Sequence, residues 1–325
     1  MLVLNSQSDM GGRHMGTIVG PGSLIADITA FANHLPEKGE TTIGSNVKFG
    51  PGGKGNNQMT DANRAGAKAV IISRIADDFL GQIIKAHYDS EKMCQDYIKT
   101  ENSAATGTAL IEVSQTTAEN RIIVIKGVCG NVSAEDVLSA EKEFAKCDVV
   151  LTQLETNIES VSEAKKLAQK YNKVFILNPA PFQKVPNGFF DGADYITPNE
   201  TEAEFFTGIP ITDIESVKKC AKVFRDMGVK NVIITLGVKG VFYSGCEDEF
   251  LVPGIKVDAV DTSGAGDAFN GGFATAISEK TDIKRALQFA NCTGALSVTK
   301  SGTAQSMPKR KEILDLMTEI YNTTI

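Results

Sequence analysis

The stretch DTSGAGDAF, residues 261–269, places an aspartate directly behind two glycines at a point where a helix is predicted to begin. Beyond Asp267, apolar residues recur at Phe273, Ala276 and Ile277 with helical spacing. The start of a helix has unpaired backbone N–H groups and a partial positive charge, and glycine allows a ligand to approach that backbone closely. The stretch therefore predicts an anion-binding turn.

The aspartate in this turn indicates a particular chemistry, because a carboxylate would repel a bound phosphate unless it had a separate role. Phosphoryl transfer to an alcohol uses both an anion-binding turn and a carboxylate. Amides stabilise charge on the moving phosphoryl group, and a carboxylate takes the proton of the attacking hydroxyl. The alternative is that Asp267 only caps its helix.

A second glycine-rich stretch, GPGGKGNNQ (50–58), leads into a predicted helix at 57–67. Neither stretch matches a common nucleotide-binding motif. Phe269 occupies the third glycine position of the dinucleotide-binding fingerprint, and Gly55 follows Lys54 where a P-loop requires serine or threonine. For each stretch, a tight turn with a helix cap is the alternative interpretation.

Alternating strands and helices must position these residues. The predicted strands are GTIVG (16–20), AVIISRI (69–75), CDVVLTQLE (147–155), KVFILNPA (173–180), ADYITPNE (193–200) and NVIITLG (231–237), and the helical patterns between the later ones are 134–145, 159–171 and 214–227. Such alternation predicts parallel pairing with right-handed crossovers. The fold class is therefore α/β, with a mostly parallel central sheet flanked by helices.

Two segments depart from this pattern, at about 26–50 and 106–127. Each alternates apolar and polar residues and has turn residues in its middle, which predicts hairpins outside the parallel sheet. We expect them to form a small β lid beside the α/β domain. Because ligands of open α/β sheets bind beyond the carboxyl ends of the strands, the polar stretches that follow the strands predict one shared cleft.

Composition limits the possible classes of protein. The 325 residues suit one large α/β domain, residues 16–325, after a disordered leader or tag remnant at 1–15. A net charge of −7 argues against a nucleic-acid partner, and no apolar run approaches the roughly 18 residues that span a bilayer. Six scattered cysteines and three histidines predict reduced thiols in a cytoplasmic protein without zinc.

Two signatures together give the sequence a resemblance to the ribokinase family of sugar kinases. One is GGKGNNQ (52–58) with the preceding PEKGET (36–41), and the other is DTSGAGDAFNGGF (261–273). Between them QLE, LNPAP, TPNETEAEFFTG and ITLGVKG follow in the family's order, and KSGTAQSMP (300–308) ends the match. The resemblance covers residues 16 to 320. It implies transfer of the γ-phosphoryl group of ATP to the primary 5-hydroxyl of a pentose, D-ribose or 2-deoxy-D-ribose, with Mg²⁺ and K⁺.

The resemblance also implies roles for residues at matching positions. The catalytic base is Asp267, and the anion hole is formed by Gly264, Ala265 and Gly266. The sugar-binding positions are Ile25, Asp27, Gly53, Lys54, Asn57 and Glu155. The ATP-binding positions are Asn199, Thr235, Gly237, Gly240 and Asn291. Glu202 is placed near magnesium through water, and the monovalent-cation positions, partly backbone carbonyls, are Asp261, Ser263, Ser297, Lys300, Gly302 and Ser306. The lid is implied to pair two subunits into a homodimer.

Several of these residues have simpler alternatives. Asn57 also suits a helix cap, whereas Lys54 and Glu155 also suit solvated surface charges. Asn199 and Glu202 form an N-x-x-E capping box in their own right, which is compatible with magnesium contact through water.

The stretch GSLIAD (22–27) departs from the family pattern, because Ile25 replaces an asparagine that contacts ribose hydroxyls. Deoxyribokinases are similar in having an apolar residue there, so the preferred sugar is left open. Two other functions remain as alternatives. One is a nucleoside kinase or another carbohydrate kinase of the same family, which would have the same catalytic residues but bind a different acceptor. The other is a non-catalytic sugar or nucleotide sensor, which would not turn over ATP.

Overall fold

The computed structural model describes residues 15–117 and 119–325. Apart from Met15, the predicted leader at 1–15 therefore lies outside the described residues. Within them, the strands are β1 (Thr17–Pro21), β2 (Ile25–Ala32), β3 (Asn46–Gly52), β4 (Lys68–Ile75), β5 (Ile98–Thr100), β6 (Gly107–Ser114), β7 (Asn120–Ile125), β8 (Val149–Thr152), β9 (Val174–Leu177), β10 (Tyr195–Ile196), β11 (Asn231–Thr235), β12 (Gly240–Ser244) and β13 (Glu249–Pro253).

The described α-helices are α1 (Lys54–Ala65), α2 (Phe79–Ser90), α3 (Ala134–Ser139), α4 (Glu141–Lys146), α5 (Ile158–Lys170), α6 (Glu200–Thr207), α7 (Ile214–Asp226), α8 (Ala265–Ser278), α9 (Ile283–Ser297) and α10 (Arg310–Tyr321). Short 3₁₀ turns lie at Gly127–Asn131, Gly237–Lys239 and Ala304–Ser306.

A nine-stranded sheet forms the centre of the described chain, in the order β13-β12-β11-β10-β9-β8-β1-β4-β5. The strands from β11 to β5 pair in parallel, which confirms the predicted α/β class. The sequence analysis did not identify β12 and β13, an antiparallel hairpin that extends one edge of this sheet.

Helices cover both faces of the sheet because its strands alternate their side chains between two apolar clusters. On β1, Ile18 joins the cluster that contains residues of α1, α2, α8, α9 and α10. Its neighbour Val19 joins the cluster that contains residues of α3 to α7. Both side chains are fully buried, so the core is continuous on each side.

The predicted hairpins form a separate four-stranded sheet in the order β3-β2-β6-β7, which we call the lid. Strands β2 and β6 pair in parallel at its centre, and each has its own antiparallel hairpin partner. This sheet confirms the expected lid.

Helix boundaries differ from the prediction at two places. The helix expected at 57–67 begins at Lys54, and the one expected at 134–145 is divided into α3 and α4 at Ala140. The other two predicted helices, α5 and α7, agree to within one residue. Across the described ranges, no helix combines the length and apolarity needed to cross a membrane.

Candidate active site

Helix α1 begins inside the glycine-rich stretch because two glycines make its first turn possible. Gly53, the residue before the helix, has φ 89°, a conformation that suits glycine. A Cβ at Gly55 would lie 2.4 Å from the backbone nitrogen of Ser23, so only glycine allows this close approach. The helix thus starts directly beside the loop after β1, and Asn57 is not its cap.

Asp267 lies in the first turn of α8 and is 5% exposed. Its Oδ2 accepts a hydrogen bond from Asn57 Nδ2 at 2.9 Å, and its Oδ1 accepts one from Gln58 Nε2 at 2.9 Å. Both donors belong to α1, and the residue before α8, Gly264, makes no side-chain cap. The carboxylate is therefore held by another helix rather than capping its own.

The turn before α8 has the form expected of an anion hole. Gly264 has φ 77°, which turns the chain sharply into the helix. A Cβ at Gly266 would meet no atom within 4 Å, so open space lies in front of this residue. Gly264 and the first two residues of α8, Ala265 and Gly266, thus lie at a helix start, where backbone N–H groups suit an anion, and the Ala265 N–H also faces the Thr262 carbonyl at 3.3 Å.

Glu155 follows β8 and is buried, which makes the solvated-charge interpretation wrong for it. Its Oε2 accepts hydrogen bonds from the backbone N–H of Lys54, at 2.8 Å, and from the Ser23 hydroxyl. The Ser23 oxygen in turn accepts from the Gly55 N–H at 3.1 Å. Glu155 thereby ties the start of α1 to the loop after β1.

Asp27 lies on β2, two residues after Ile25, so their side chains point to the same face of the lid. The Thr303 hydroxyl donates to Asp27 Oδ2 at 3.0 Å. Burial raises the pKa of Asp27 to about 6, with further contributions from Glu155 and Asp267, while the Thr303 hydrogen bond acts against the rise.

Ile25 is 1% exposed and packs with Ala109 and Cys129 at the base of the lid. A Cβ at Gly107, its parallel partner on β6, would approach Ile25 Cγ1 to 3.1 Å. Ile25 therefore forms part of a small apolar cluster directly beside Asp27, and it offers no hydrogen-bonding group there.

Lys54 lies in the electric field of several carboxylates. Burial acts to lower the pKa of its ammonium group, but nearby negative charges, of which Asp267 has the largest effect, more than offset this and raise it. The other two charges are Glu155 and Glu202. The structure thus brings together residues predicted from four separate segments of the sequence.

Asn199 and Glu202 form the predicted capping box at the start of α6. The Asn199 side chain accepts from the Glu202 N–H, and the Glu202 carboxylate accepts from the Asn199 N–H, both at 2.8 Å. Burial raises the pKa of Glu202, and the Asn199 hydrogen bond opposes that shift. Glu202 also contributes to the raised pKa of Lys54.

Three of the remaining predicted ATP-binding residues lie at the end of β11 or just after it. Thr235 ends β11 and forms a parallel bridge with Asn199. Gly237 and Gly240 flank a 3₁₀ turn, and a Cβ at Gly237 would meet no atom within 4 Å. The fourth, Asn291, lies on α9. Its side-chain amide donates to the Pro253 carbonyl at 2.8 Å and thereby joins α9 to β13.

The predicted monovalent-cation residues lie in two loops that are joined to each other. Asp261 accepts from the Ser263 N–H at 2.9 Å and from the Gly302 N–H at 3.0 Å. The Ser297 and Ser306 hydroxyls donate to the carbonyls of Gly294 and Thr303, each at 2.8 Å. The Lys300 ammonium pairs with Glu312 at 2.7 Å, so that side chain is directed elsewhere.

The potassium site itself stays a prediction. In the part of the chain that the structure describes, no group of three or more His, Cys, Asp or Glu side chains is arranged to hold a metal ion. Any cation here would therefore depend largely on backbone and hydroxyl oxygens.

A buried carboxyl group lies one turn along α1 from Asn57. Asp61 is fully buried, and neither of its carboxyl oxygens has a hydrogen-bond partner within the described ranges. A Cβ at Gly271 of α8 would lie 2.7 Å from Asp61 Oδ2. Burial raises the pKa of Asp61 well above its ordinary value, with Arg64 opposing and Asp267 adding to the shift.

Sequence reasoning missed a set of polar residues around the predicted ones. Ser23, Gln58 and Thr303 bond predicted residues directly. Gln153 and Asn178 bond Gln58. Gln153 and Asn178 directly follow β8 and β9, in the stretches QLE and NPAP. Their position at strand ends was the available signal, but their partners lie far away in the sequence.

Comparison with known proteins identifies relatives of the chain. The family model described as pfkB family carbohydrate kinase matches residues 15–310. The chain is 40% identical to a ribokinase of Haemophilus influenzae over 296 residues, 91% of this chain and 96% of the relative. It is 34% identical to a deoxyribokinase of Salmonella typhi over 288 residues, 88% and 94% of the two chains.

A solved structure of Arabidopsis thaliana ribokinase, complexed with ribose and ATP, has a TM-score of 0.85 and 29% sequence identity to this chain. The similarity covers 94% of this chain and 99% of that one. The chain belongs to the pfkB family of carbohydrate kinases. It has the ribokinase fold and is a ribokinase-like phosphotransferase.

Proposed function

We propose that this chain transfers the γ-phosphoryl group of ATP to the primary 5-hydroxyl of a pentose, either D-ribose or 2-deoxy-D-ribose. The observation that carries the proposal is the buried Asp267 carboxylate, held by two α1 amides beside the open turn at Gly266. The relatives support the substrate class, because one is a ribokinase and the other a deoxyribokinase.

In the proposed reaction Asp267 accepts the proton of the sugar hydroxyl as that oxygen bonds to the γ-phosphorus. The bond from the γ-phosphorus to the bridging oxygen breaks, and ADP leaves. The amides of Gly264, Ala265 and Gly266 stabilise the negative charge on the group in transfer. The acid–base part of this catalysis typically contributes about 10²- to 10⁴-fold.

The sugar is proposed to bind between the lid and the start of α1, against Asp27, Gly53, Lys54, Asn57 and Glu155. Asn57 supports this assignment. Its Nδ2 is engaged by Asp267, while its buried Oδ1 has no partner among the described residues and is available to accept from a sugar hydroxyl.

The nucleotide is proposed to lie along Asn199, Thr235, Gly237, Gly240 and Asn291. Mg²⁺ would supply charge neutralisation at the phosphates, and the buried carboxylate of Glu202 suits its water shell. K⁺ would bind between the loops that Asp261 joins, using oxygens of Ser263, Ser297, Lys300, Gly302 and Ser306, and would stiffen the turn that leads into α8.

The choice between the two pentoses is proposed to depend on Ile25. If this apolar side chain lies near the 2-position of the sugar, the 2-hydroxyl of ribose loses water there without gaining a hydrogen bond, whereas 2-deoxyribose has no such group to desolvate. An apolar pocket rejects an added hydroxyl by about 10²-fold at most, so both sugars should be substrates.

The proposal is tested by measuring sugar-dependent ADP release with MgATP across pentoses, deoxypentoses, hexoses and nucleosides. The Asp267→Asn variant is the control, and it should lower kcat by about 10²- to 10⁴-fold while ATP affinity stays near normal. Highest turnover with nucleosides or hexoses would contradict the substrate class. Near-full turnover in Asp267→Asn would contradict the assigned base.

A homodimer through the lid is also proposed, because the lid exposes much apolar surface. Its exposed large apolar side chains are Val47, Phe49, Leu110, Ile122, Ile123, Val124 and Ile125. Four of these are consecutive on β7, an edge strand of the lid with unpaired backbone groups. Burial against a second lid would cover both features.

Sedimentation velocity at micromolar concentration tests the dimer. Ile123→Lys in β7 should give monomers, whereas Ile320→Lys on α10, at a comparably exposed apolar position, should not. A wild-type monomer with full activity would refute the pairing.

A further inference from the structure

Three buried amide side chains lie behind Asp267, and none of the proposed binding roles uses them. Gln58 is 0% exposed, Gln153 is 1% exposed and Asn178 is 5% exposed. They come from α1 and from the residues that follow β8 and β9. All three are joined by hydrogen bonds into one chain.

The direction of this chain of amides is fixed by a backbone carbonyl. The Thr197 carbonyl can only accept, so the amide group that faces it, at 3.0 Å, must be Asn178 Nδ2. The oxygen of Asn178 is thereby turned toward Gln58 and accepts from Gln58 Nε2 at 3.0 Å. The oxygen of Gln58 in turn accepts from Gln153 Nε2 at 2.7 Å.

The direction of the Gln58 amide determines which of its atoms faces Asp267. Because the Asn178 oxygen and Asp267 Oδ1 both accept, the Gln58 nitrogen must face them, and the Gln58 oxygen faces Gln153. A reversed Gln58 amide would place its one oxygen against both the Asp267 carboxylate and the Asn178 oxygen, and it would break all three hydrogen bonds. The Gln58 donor can therefore point only at the carboxylate.

The hydrogen bond from Gln58 matters because several charged groups surround Asp267. The acidic side chains Asp27, Asp61 and Glu202 interact with it electrostatically, and Lys54 is the nearby cation. Asn57 already holds Oδ2, so Gln58 is what fixes the rotation of the carboxylate about its last bond. A general base acts only when its oxygen meets the reacting hydroxyl in the right geometry, and small displacements cost large factors in rate.

We propose that Gln58 is a positioning residue for the general base, that Asn178 fixes the direction of its amide, and that Gln153 acts through it by holding its oxygen. The inference rests on the proposed role of Asp267. Gln58 itself touches neither sugar nor nucleotide in this account, so its effect should appear in kcat and not in the KM of either substrate.

The test compares kcat and both KM values for Gln58→Met, Gln153→Met and the double variant. A hydrogen bond to a charged group corresponds to a factor of about 10 to 100, so Gln58→Met should lower kcat by that factor and leave both KM values within about twofold. Gln153→Met should lower kcat less. The double variant should be no slower than Gln58→Met alone, because Gln153 acts only through Gln58.

Two controls separate positioning from structural damage. Asn56→Leu removes a fully buried α1 amide that has no side-chain partner among the described residues, and it should keep wild-type kcat. In an Asp267→Asn background, Gln58→Met should cause no further loss. If Gln58→Met does not fold, Gln58→Glu replaces it, since it keeps the size and the acceptor for Gln153 but presents a carboxylate oxygen to Asp267.

Three results would overturn the inference. They are wild-type kcat in Gln58→Met, raised KM values with unchanged kcat, and losses from Gln58→Met and Gln153→Met that multiply. The role of Asp267 and the role of Gln58 can be refuted separately. Full turnover in Asp267→Asn would remove the base itself, whereas a slow Asp267→Asn together with a fully active Gln58→Met would remove only the role of Gln58.

Discussion

Lowering the pH through 6 should protonate Asp27 and weaken sugar binding. The buried position of this carboxyl group raises its pKa to about 6, aided by Glu155 and Asp267, so it titrates in an experimentally accessible range. An ionised carboxylate accepts hydrogen bonds from sugar hydroxyls through both oxygens, whereas the protonated group loses part of that capacity.

The size of the effect follows from the fraction ionised. With a pKa of about 6, roughly 90% of the Asp27 carboxyl groups are ionised at pH 7 and roughly 10% at pH 5. If only the ionised form binds tightly, the association constant for the sugar should fall about tenfold over that interval. Above pH 8 the association constant for the sugar should no longer change with pH.

Thr303 provides a way to move this titration without touching Asp27. Its hydroxyl donates to Asp27 Oδ2 at 3.0 Å and lowers the pKa of that group, so Thr303→Val should raise the pKa by about one unit. At pH 6 the ionised fraction would drop from about one half to about one tenth, and sugar affinity about fivefold. Thr303→Ser keeps the hydroxyl and is the matched control.

Isothermal titration calorimetry of ribose and 2-deoxyribose without nucleotide, from pH 5 to 8.5, measures these constants directly. Omitting ATP removes the chemical step, so the pH dependence of Asp267 in catalysis does not enter. An affinity that stays flat from pH 5 to 8, or a Thr303→Ser titration displaced as far as that of Thr303→Val, would refute the reasoning.

Three further predictions address the sugar, the cation and the core. Ile25→Asn should shift the ratio of kcat/KM toward ribose by about tenfold, with Ile25→Val as the control; an unchanged strong ribose preference in both would show that residue 25 does not read the 2-position. Turnover should rise with potassium, and equal rates in sodium, potassium and a bulky organic cation at constant ionic strength would exclude the cation site around Asp261. Asp61→Asn should stabilise the fold at neutral pH. Burial raises the pKa of Asp61, so the native state must keep a proton that the unfolded chain releases above its pKa of about 4, and the wild type loses stability as the pH rises from there. In thermal melts the advantage of Asp61→Asn should vanish toward pH 4, and a gain of the same size for the exposed Asp258→Asn at neutral pH would contradict the assignment to burial.

The fold was predictable because its signals are local. Short apolar runs separated by helical patterns indicated the strands of the central sheet, and alternating residues around a turn at 26–50 and 106–127 indicated the lid. The start of α1 was placed too late because glycines ordinarily interrupt helices, whereas here Gly55 permits contact with the loop after β1. The break at Ala140 left no comparable mark in the sequence.

The candidate site was predictable only where a motif carried it. Asp267 and Lys54 lie within the two glycine-rich signatures, which a single sequence displays. Gln58 lies inside one signature too, but its role depends on partners at 153, 178 and 267, and no pattern relates those distant positions. Hydrogen bonds between residues some 100 to 200 positions apart become visible only in three dimensions.

The pairing of α1 with α8 has a consequence for the synthesis of the chain. Strands β1, β4 and β8 can pair soon after they leave the ribosome, but Met59 and Ala62 of α1 belong to an apolar cluster completed by Phe269 and Phe273 of α8. At about 5 to 20 residues per second, the intervening 200 or so residues take roughly 10 to 40 s to make. For that time the nascent protein carries an uncovered apolar face, and chaperones that recognise such surfaces should bind it most strongly before α8 emerges.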